Sequence, residues 1–309
     1  MDHQTPFTRS PANPILTRED LPFRAAGVFN PGAAEQDGQV VLLVRVESVE
    51  GYSDIYVARS DNGVTDWKLQ REPILEHGIP RWSYERWGCE DARVVWMADD
   101  GCWYISYVAY SDVGPAIGIA RSTDLRTAER ISLLGATNDK DGVLLPARFN
   151  GEYAILHRPD AGGYQHIWSA YSQDLIRWGD PHCVLREGYG PVWYAVKVGA
   201  GPPPLLTPHG WLLIYHGVKE YSGSMFYRVG LALLERDRPH KVAARTRGSI
   251  FEAEAAYEVS GTAPNVVFPS GALLRGDELW VYYGAADRCI GLATARLDDL
   301  MNLLEPVER

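Results

Sequence analysis

Two carboxylates and a guanidinium stand together in WGCEDARV, residues 87–94, at the start of the apolar run Val94 to Met97. Glu90, Asp91 and Arg93 could exchange a proton with a bound ligand beside a fixed cation. The same trio could equally be an ion pair that ties a strand into a core. A charge taken out of water is costly unless it is paired or used on a ligand. Which role applies depends on the other polar groups that the fold brings to the same place.

A long-period repeat supplies such groups. YVARSDNGVTDW (56–67) recurs as IGIARSTDL (117–125), WSAYSQDLIRW (168–178), VGLALLERD (229–237) and IGLATARLDDL (290–300). Aligned on Ala58, Ala120, Ala170, Ala232 and Ala293, the copies are 62, 50, 62 and 61 residues apart. Repeats of this kind mark one supersecondary unit each. An apolar run precedes every copy, at 40–46, 103–110, 153–158, 211–216 and 279–284. These runs are rich in Val, Ile, Tyr and Trp and are bounded by turn residues, which is the signature of strands. Ahead of them lies a third segment that opens on a polar residue: Asn30, Glu90 with Asp91, Lys140 with Asp141, Lys197, and Asn265. Five such units without sustained helical periodicity predict an all-β fold, a five-bladed β-propeller. It is expected to form one domain over residues 1–309, with the active site at one end of the central channel. A β-sandwich is the alternative reading of the same pattern.

In a propeller the innermost strand of each blade lines the channel, so these polar residues converge although they are distant in sequence. The second strands add another polar ring: Arg45, Tyr110, Arg158, His216 and Asp287. Each has a plain alternative. Arg45 could sit on an edge strand, Arg158 and His216 could tie loops by hydrogen bonds, and Lys197 could be solvated. Trp82, Tyr84, Trp87, Trp193, Tyr194 and Tyr221 fall in loops, where flat rings can stack on pyranose C–H groups while the polar ring binds hydroxyls.

Composition narrows the partners. The chain has 309 residues, 46% hydrophobic and 23% charged, with a formal net charge of -10. Nucleic-acid binders normally carry a basic stripe that displaces counterions, so a neutral ligand fits better. No apolar run approaches the roughly 20 residues needed to cross a bilayer, and Met1 to Ser10 lacks the apolar stretch of a secretion signal. A cytoplasmic protein without nucleic-acid or membrane partners is expected, with homo-oligomerisation left open. Cys89, Cys102, Cys183 and Cys289 are scattered, which suggests small buried residues rather than a zinc or redox site. No His lies near Cys89 in sequence to activate it as a nucleophile. No His and acidic residues share metal-ligand spacing, so no metal is predicted.

The segments FNPGA (29–33), EDARV (90–94), DKDGVLLP (139–146), LHRP (156–159), KVGAGPPP (197–204), GWLLIYHGV (210–218), NVVFPSG (265–271) and YYGAAD (282–287) together resemble glycoside hydrolase family 130, a five-bladed propeller family of β-mannoside phosphorylases and β-mannosidases. The resemblance covers nearly the whole chain. It implies inverting attack on a β-mannoside, with Asp91 as the general acid passing its proton through the mannose 3-hydroxyl. The family's usual Pro in this segment is Ala92 here.

An inverting hydrolase needs a second carboxylate roughly 6.5–9.5 Å from the acid to activate water. A phosphorylase needs only a cationic seat for phosphate, which guanidinium groups and lysine provide. Arg45, Arg158, Lys197 and His216 are the expected phosphate ligands. Asn30, Glu90, Arg93, Lys140, Asp141, Tyr110 and Asp287 are the expected sugar-binding residues. The predicted reaction is phosphorolysis of a β-1,2- or β-1,4-linked mannoside to α-mannose 1-phosphate, with inorganic phosphate as co-substrate and no cofactor. Ala116 stands where some phosphorylases of the family are expected to carry a basic residue. Glu220 or Glu47 as base would make a hydrolase the alternative, and a non-catalytic sugar-binding propeller is a third reading.

Overall fold

The computed structural model describes residues 5–135 and 138–307. The fold is all-β; the two α-helices, Ala256–Val259 and Leu297–Met301, have four and five residues. No helix among the described residues is long and apolar enough to cross a membrane.

Five strands lead five antiparallel groups: β1 (Gly27–Gln36), β2 (Gly88–Met97), β3 (Asp139–Phe149), β4 (Lys197–Ala200) and β5 (Val267–Arg275). β1 pairs with Gln39–Glu47, which pairs with Ser53–Ser60. β2 is followed in the same way by Cys102–Ser111, Gly114–Ser122 and Glu129–Leu134. β3 leads Glu152–Pro159, Ile167–Ser172 and Gly179–Leu185. β4 leads Gly210–Tyr221, Ser224–Leu234 and Val242–Arg245. β5 leads Glu278–Ala285 and Cys289–Arg296, and that last strand takes Thr8–Arg9 from the other end of the chain as its outer neighbour. The first two groups touch through one parallel pair, Ser53 with Gly88.

Alternation of side chains along each strand lets every group serve two cores. On Gln39–Glu47, Val41 and Leu43 pack with Val94, Ile105 and Tyr107 of the second group, whereas Val40, Leu42 and Val44 pack with Tyr282, Ile290 and Leu292 of the fifth. On Gly210–Tyr221, Leu212 and Ile214 face the fifth group while Leu213 and Tyr215 face the third. A further core joins Tyr104 and Ile117 to Leu144 and Ile155. Each of the five cores therefore lies between two successive groups, and the series returns from the fifth to the first.

Near its head, β1, β2 and β3 each carry a register irregularity: between Phe29 and Gly32, Glu90 and Arg93, and Lys140 and Val143. The residues inside these bulges, Asn30, Asp91 and Asp141, have φ of 48°, 49° and 56°. Asn and Asp tolerate this left-handed conformation better than other side-chain-bearing residues, and a bulge re-aims the side chain it contains. The bulges also bring neighbouring lead strands close together: a Cβ on Gly32 would lie 2.7 Å from the Ala92 carbonyl oxygen. Gly32→Ala is expected to lower unfolding stability by about 1–3 kcal/mol, the usual cost of overpacking, measured as a reduced midpoint in urea denaturation.

Candidate active site

The three bulges open on a cavity of about 360 Å³, whose wall also includes Arg45, Lys140, Arg158, Lys197 and Asp287. Strand heads distant in sequence thus contribute to one hollow.

Asp91 is 7% exposed. Its Oδ1 accepts hydrogen bonds from Asn30 Nδ2 at 2.9 Å and Arg45 Nη1 at 3.2 Å, so one carboxylate oxygen is anchored. Burial by itself pushes this carboxyl up, but Arg45, Arg93, Lys140 and the Asn30 amide outweigh it and hold Asp91 below the ordinary carboxylate range. Gly284 is what admits the anchor: a Cβ there would fall 1.8 Å from Asn30 Oδ1.

Asp141 is a second hub. It accepts Arg158 Nε at 2.7 Å on Oδ2 and Arg93 Nη2 at 3.4 Å on Oδ1. These cations, Arg158 foremost, overcome its burial and keep it strongly ionised. Its two oxygens are occupied by structural partners, which leaves it poorly suited to activate water.

Four cations border the cavity, and they are not equivalent. Arg45 is committed: besides Asp91 it contacts Glu90 Oε1 at 3.1 Å and Glu47 Oε2 at 3.3 Å, donates to Ser53 Oγ at 2.9 Å and lies over the Phe29 ring. Expected at the phosphate, it lines the cavity with three carboxylates around it. Arg158 divides its donors between Asp141 and the Gln165 side chain. Lys140 pairs with Glu90 Oε2 at 3.6 Å, with its side chain 38% exposed. Lys197 has its ammonium 5.3 Å from the centre of the Tyr227 ring. Burial, reinforced by Arg158 and Lys140 and opposed by Asp141, pulls Lys197 down to about 8.

Asp287, in the turn after Glu278–Ala285, has φ 48°. Burial, the charge of Asp91 and that of Glu47 push it up to about 6 against the pull of Arg45. Asp91 and Asp287 share one cavity with their proton affinities driven apart, the arrangement by which proteins give two carboxyl groups different roles.

Several of the expected site residues stand off the cavity lining. His216, expected at the phosphate, is fully buried with Nε2 3.4 Å from Asp141 Oδ2. Burial and the cations around it lower it to about 3, so it stands behind the wall as a neutral ring. Arg93, expected on the sugar, is 1% exposed; it donates to the Asp91 and Gly201 carbonyls and pairs with Asp141, bracing the floor from below. Glu90 bridges Arg45 and Lys140 outside the lining. Tyr110 also stays off the lining, under Lys140 and against the Trp87 ring. Of the two alternative bases, Glu220 is exposed near the tip of the Gly210–Tyr221 strand, and Glu47 is paired with Arg45; neither lines the cavity.

None of the six loop aromatics reaches the lining. Tyr84 packs against a core and Trp193 stacks on Tyr215, because burying a ring's area outweighs leaving it in water. The aromatics on the wall are Tyr227 and Phe268. Phe268 lies in a segment noted for its opening Asn265 rather than its ring, and Tyr227 lies just ahead of a repeat copy whose apolar residues read as core. Cys89 is buried beside Glu85 with its thiol pushed well up by burial, the opposite of an activated nucleophile.

A family model described as beta-1,4-mannooligosaccharide phosphorylase matches residues 5–306. A beta-1,2-mannobiose phosphorylase of Thermoanaerobacter sp. (strain X514) is 36% identical over 306 residues, covering 93% of this chain and 96% of that protein. A 1,2-beta-oligomannan phosphorylase of the same organism is 32% identical over 296 residues, covering 93% and 95%. Among solved structures, the beta-1,2-mannobiose phosphorylase from Listeria innocua in complex with beta-1,2-mannobiose superposes with a TM-score of 0.88 at 29% identity, covering 96% of this chain and 98% of that one.

The lowered Lys197 gives a test of the cationic wall. An anion favours the charged ammonium, which is present below about 8 and lost as pH rises through that value. Titration with inorganic phosphate, followed by calorimetry, is expected to weaken several-fold between pH 7 and pH 9, beyond any change in phosphate's own ionisation. Lys197→Met should bind weakly at both values.

Proposed function

The chain belongs to glycoside hydrolase family 130, and from that premise we propose that its cavity carries out inverting phosphorolysis of a β-mannoside. The protein is a glycoside phosphorylase. Its substrates are β-mannosides and inorganic phosphate, and the products are α-mannose 1-phosphate and the shortened acceptor sugar. The observation that carries the catalytic reading is the division of charge in the cavity: one anchored carboxylate, Asp91, stands near cations with donors to spare, and the neighbouring Asp141 is saturated by arginine.

Asp91, in its protonated form, gives its proton to the glycosidic oxygen through the mannose 3-hydroxyl as the C1–O bond breaks. A phosphate oxygen forms the new bond to C1 from the opposite face, which inverts the anomeric centre. Asp91 then recovers a proton from solvent. Lys140, one of the cations that keep Asp91 ionised in the free enzyme, is also one that a phosphate dianion would offset. Phosphate therefore raises the proton affinity of Asp91 when the acid is needed. Lys140, Arg158 and Lys197 hold the phosphate, Lys as a point charge and Arg as a planar donor. Asn30 orients Asp91, and Asp287, Asp141 and Tyr227 face the sugar. No metal or organic cofactor takes part.

We read the five sheet groups as the blades of a five-bladed propeller in one domain, with the cavity at one end of its channel. The five cores shared by successive groups support this reading. A cytoplasmic site of action fits the chemistry, since a charged sugar phosphate is retained inside the cell.

Incubation with β-1,2- and β-1,4-mannobiose, with and without phosphate, tests the reaction. Mannose 1-phosphate is expected only with phosphate. Free mannose released at the same rate without it would replace phosphorolysis by hydrolysis, with Asp287 as the available second carboxyl. Asp91→Asn should lower turnover by about 10²–10⁴-fold, the usual contribution of a general acid, in a variant that circular dichroism shows to be folded; retained sugar binding without turnover in the native protein would indicate a lectin. Gly284→Ala, which displaces the Asn30 amide, should lower turnover tenfold or more.

A further inference from the structure

Glu90 neighbours Asp91 in β2 yet, unlike it, is outside the cavity lining. It is 6% exposed, and its two oxygens reach the two cations that flank the proposed acid: Oε1 lies 3.1 Å from Arg45 Nη2 and Oε2 3.6 Å from Lys140 Nζ. Arg45 has a second counter-charge in Glu47, 3.3 Å away and 29% exposed. A buried carboxylate between two cations limits the charge they present to a third group, because each pair attracts strongly where water is scarce. It also repels a negative charge on its chain neighbour.

We infer that Glu90 is a positioning residue of the phosphorylase: it clamps Arg45 and Lys140 on either side of Asp91 and restrains their field, so that Asp91 remains able to take up the proton it must donate. This rests on the reading of Asp91 as general acid. The charged groups around Asp91 and its cations are Arg45 and Glu47 from Gln39–Glu47, Glu90 and Arg93 from β2, Lys140 from β3, and Asp287 from the turn after Glu278–Ala285. Three cations already hold Asp91 on the ionised side. Without Glu90, two of them would act on Asp91 with less opposition, and the acid would be ionised over more of the pH range.

Glu90→Gln keeps the shape of the clamp and removes its charge. The basic limb of the kcat profile at saturating phosphate, where Asp91 is to hold its proton, is expected to move to lower pH by half a unit or more. Activity at pH 8 should fall about threefold or more, with a smaller loss at pH 5.5. Glu90→Asp, which keeps the charge on a shorter arm, should restore the limb towards its native position even if the rate stays low. Glu47→Gln, at a more exposed site, should shift the limb the same way by less, and it serves if Glu90→Gln does not fold. An unmoved limb in both Gln variants, or a rise in KM for the mannoside alone, would overturn the inference. A ¹³C carboxyl titration of Asp91, identified by its absence in Asp91→Asn, reads the same shift without turnover. It therefore separates failure of the clamp from failure of the phosphorylase reading, which an absence of phosphate-dependent turnover in the native protein would expose.

Discussion

Charge that has left water must be matched, and in this cavity the matching is done twice. Asp91 is held by Arg45 and Asn30, and Asp141 by Arg158 and Arg93. Removing one partner from such a pair leaves the other buried and unpaired, a loss of several kcal/mol. The two hubs are coupled because Arg93 reaches from the Asp91 carbonyl to the Asp141 carboxylate. The floor of the cavity is therefore a continuous ionic lattice, and the positions of the proposed acid and of the cations near it are set together.

That lattice depends on backbone shape. A strand in regular register would send Asn30, Asp91 and Asp141 into the cores between groups, where Val, Ile and Leu leave no polar partners. The left-handed bulge turns each of them towards the cavity instead, and glycines on the neighbouring strand clear the space. Gly284 does this for Asn30, and Gly199 for Asp141, whose Oδ2 would lie 2.1 Å from a Cβ there. Binding chemistry is thus built at the points where the sheet is irregular.

The strands and their grouping were legible in the sequence because the repeat carries its own punctuation, and apolar alternation reports burial directly. The polar residues that open the lead strands were legible for the same reason: Asn30, Asp91 and Asp141 interrupt runs that are otherwise core. What could not be read was depth. Arg93 and His216 look from the sequence like the other polar residues in these strands, but their side chains extend behind the wall rather than into the cavity. Arg45 reads as a free cation until Glu47 and Glu90 are placed beside it in space. The loop aromatics misled because a ring's type says nothing about which side of a loop it covers, and the wall aromatics Tyr227 and Phe268 were hidden within apolar surroundings.

The pairing of Thr8–Arg9 with residues 293 and 294 has a consequence for how the chain reaches this form. The final sheet obtains its outer strand from nearly three hundred residues away, so its edge stays unpaired until the two extremities of the polypeptide meet. Contacts this distant in sequence form slowly, since the entropy of closing the intervening chain is lost before they contribute. Assembly would then end as a clasp fastens, at the edge of that sheet.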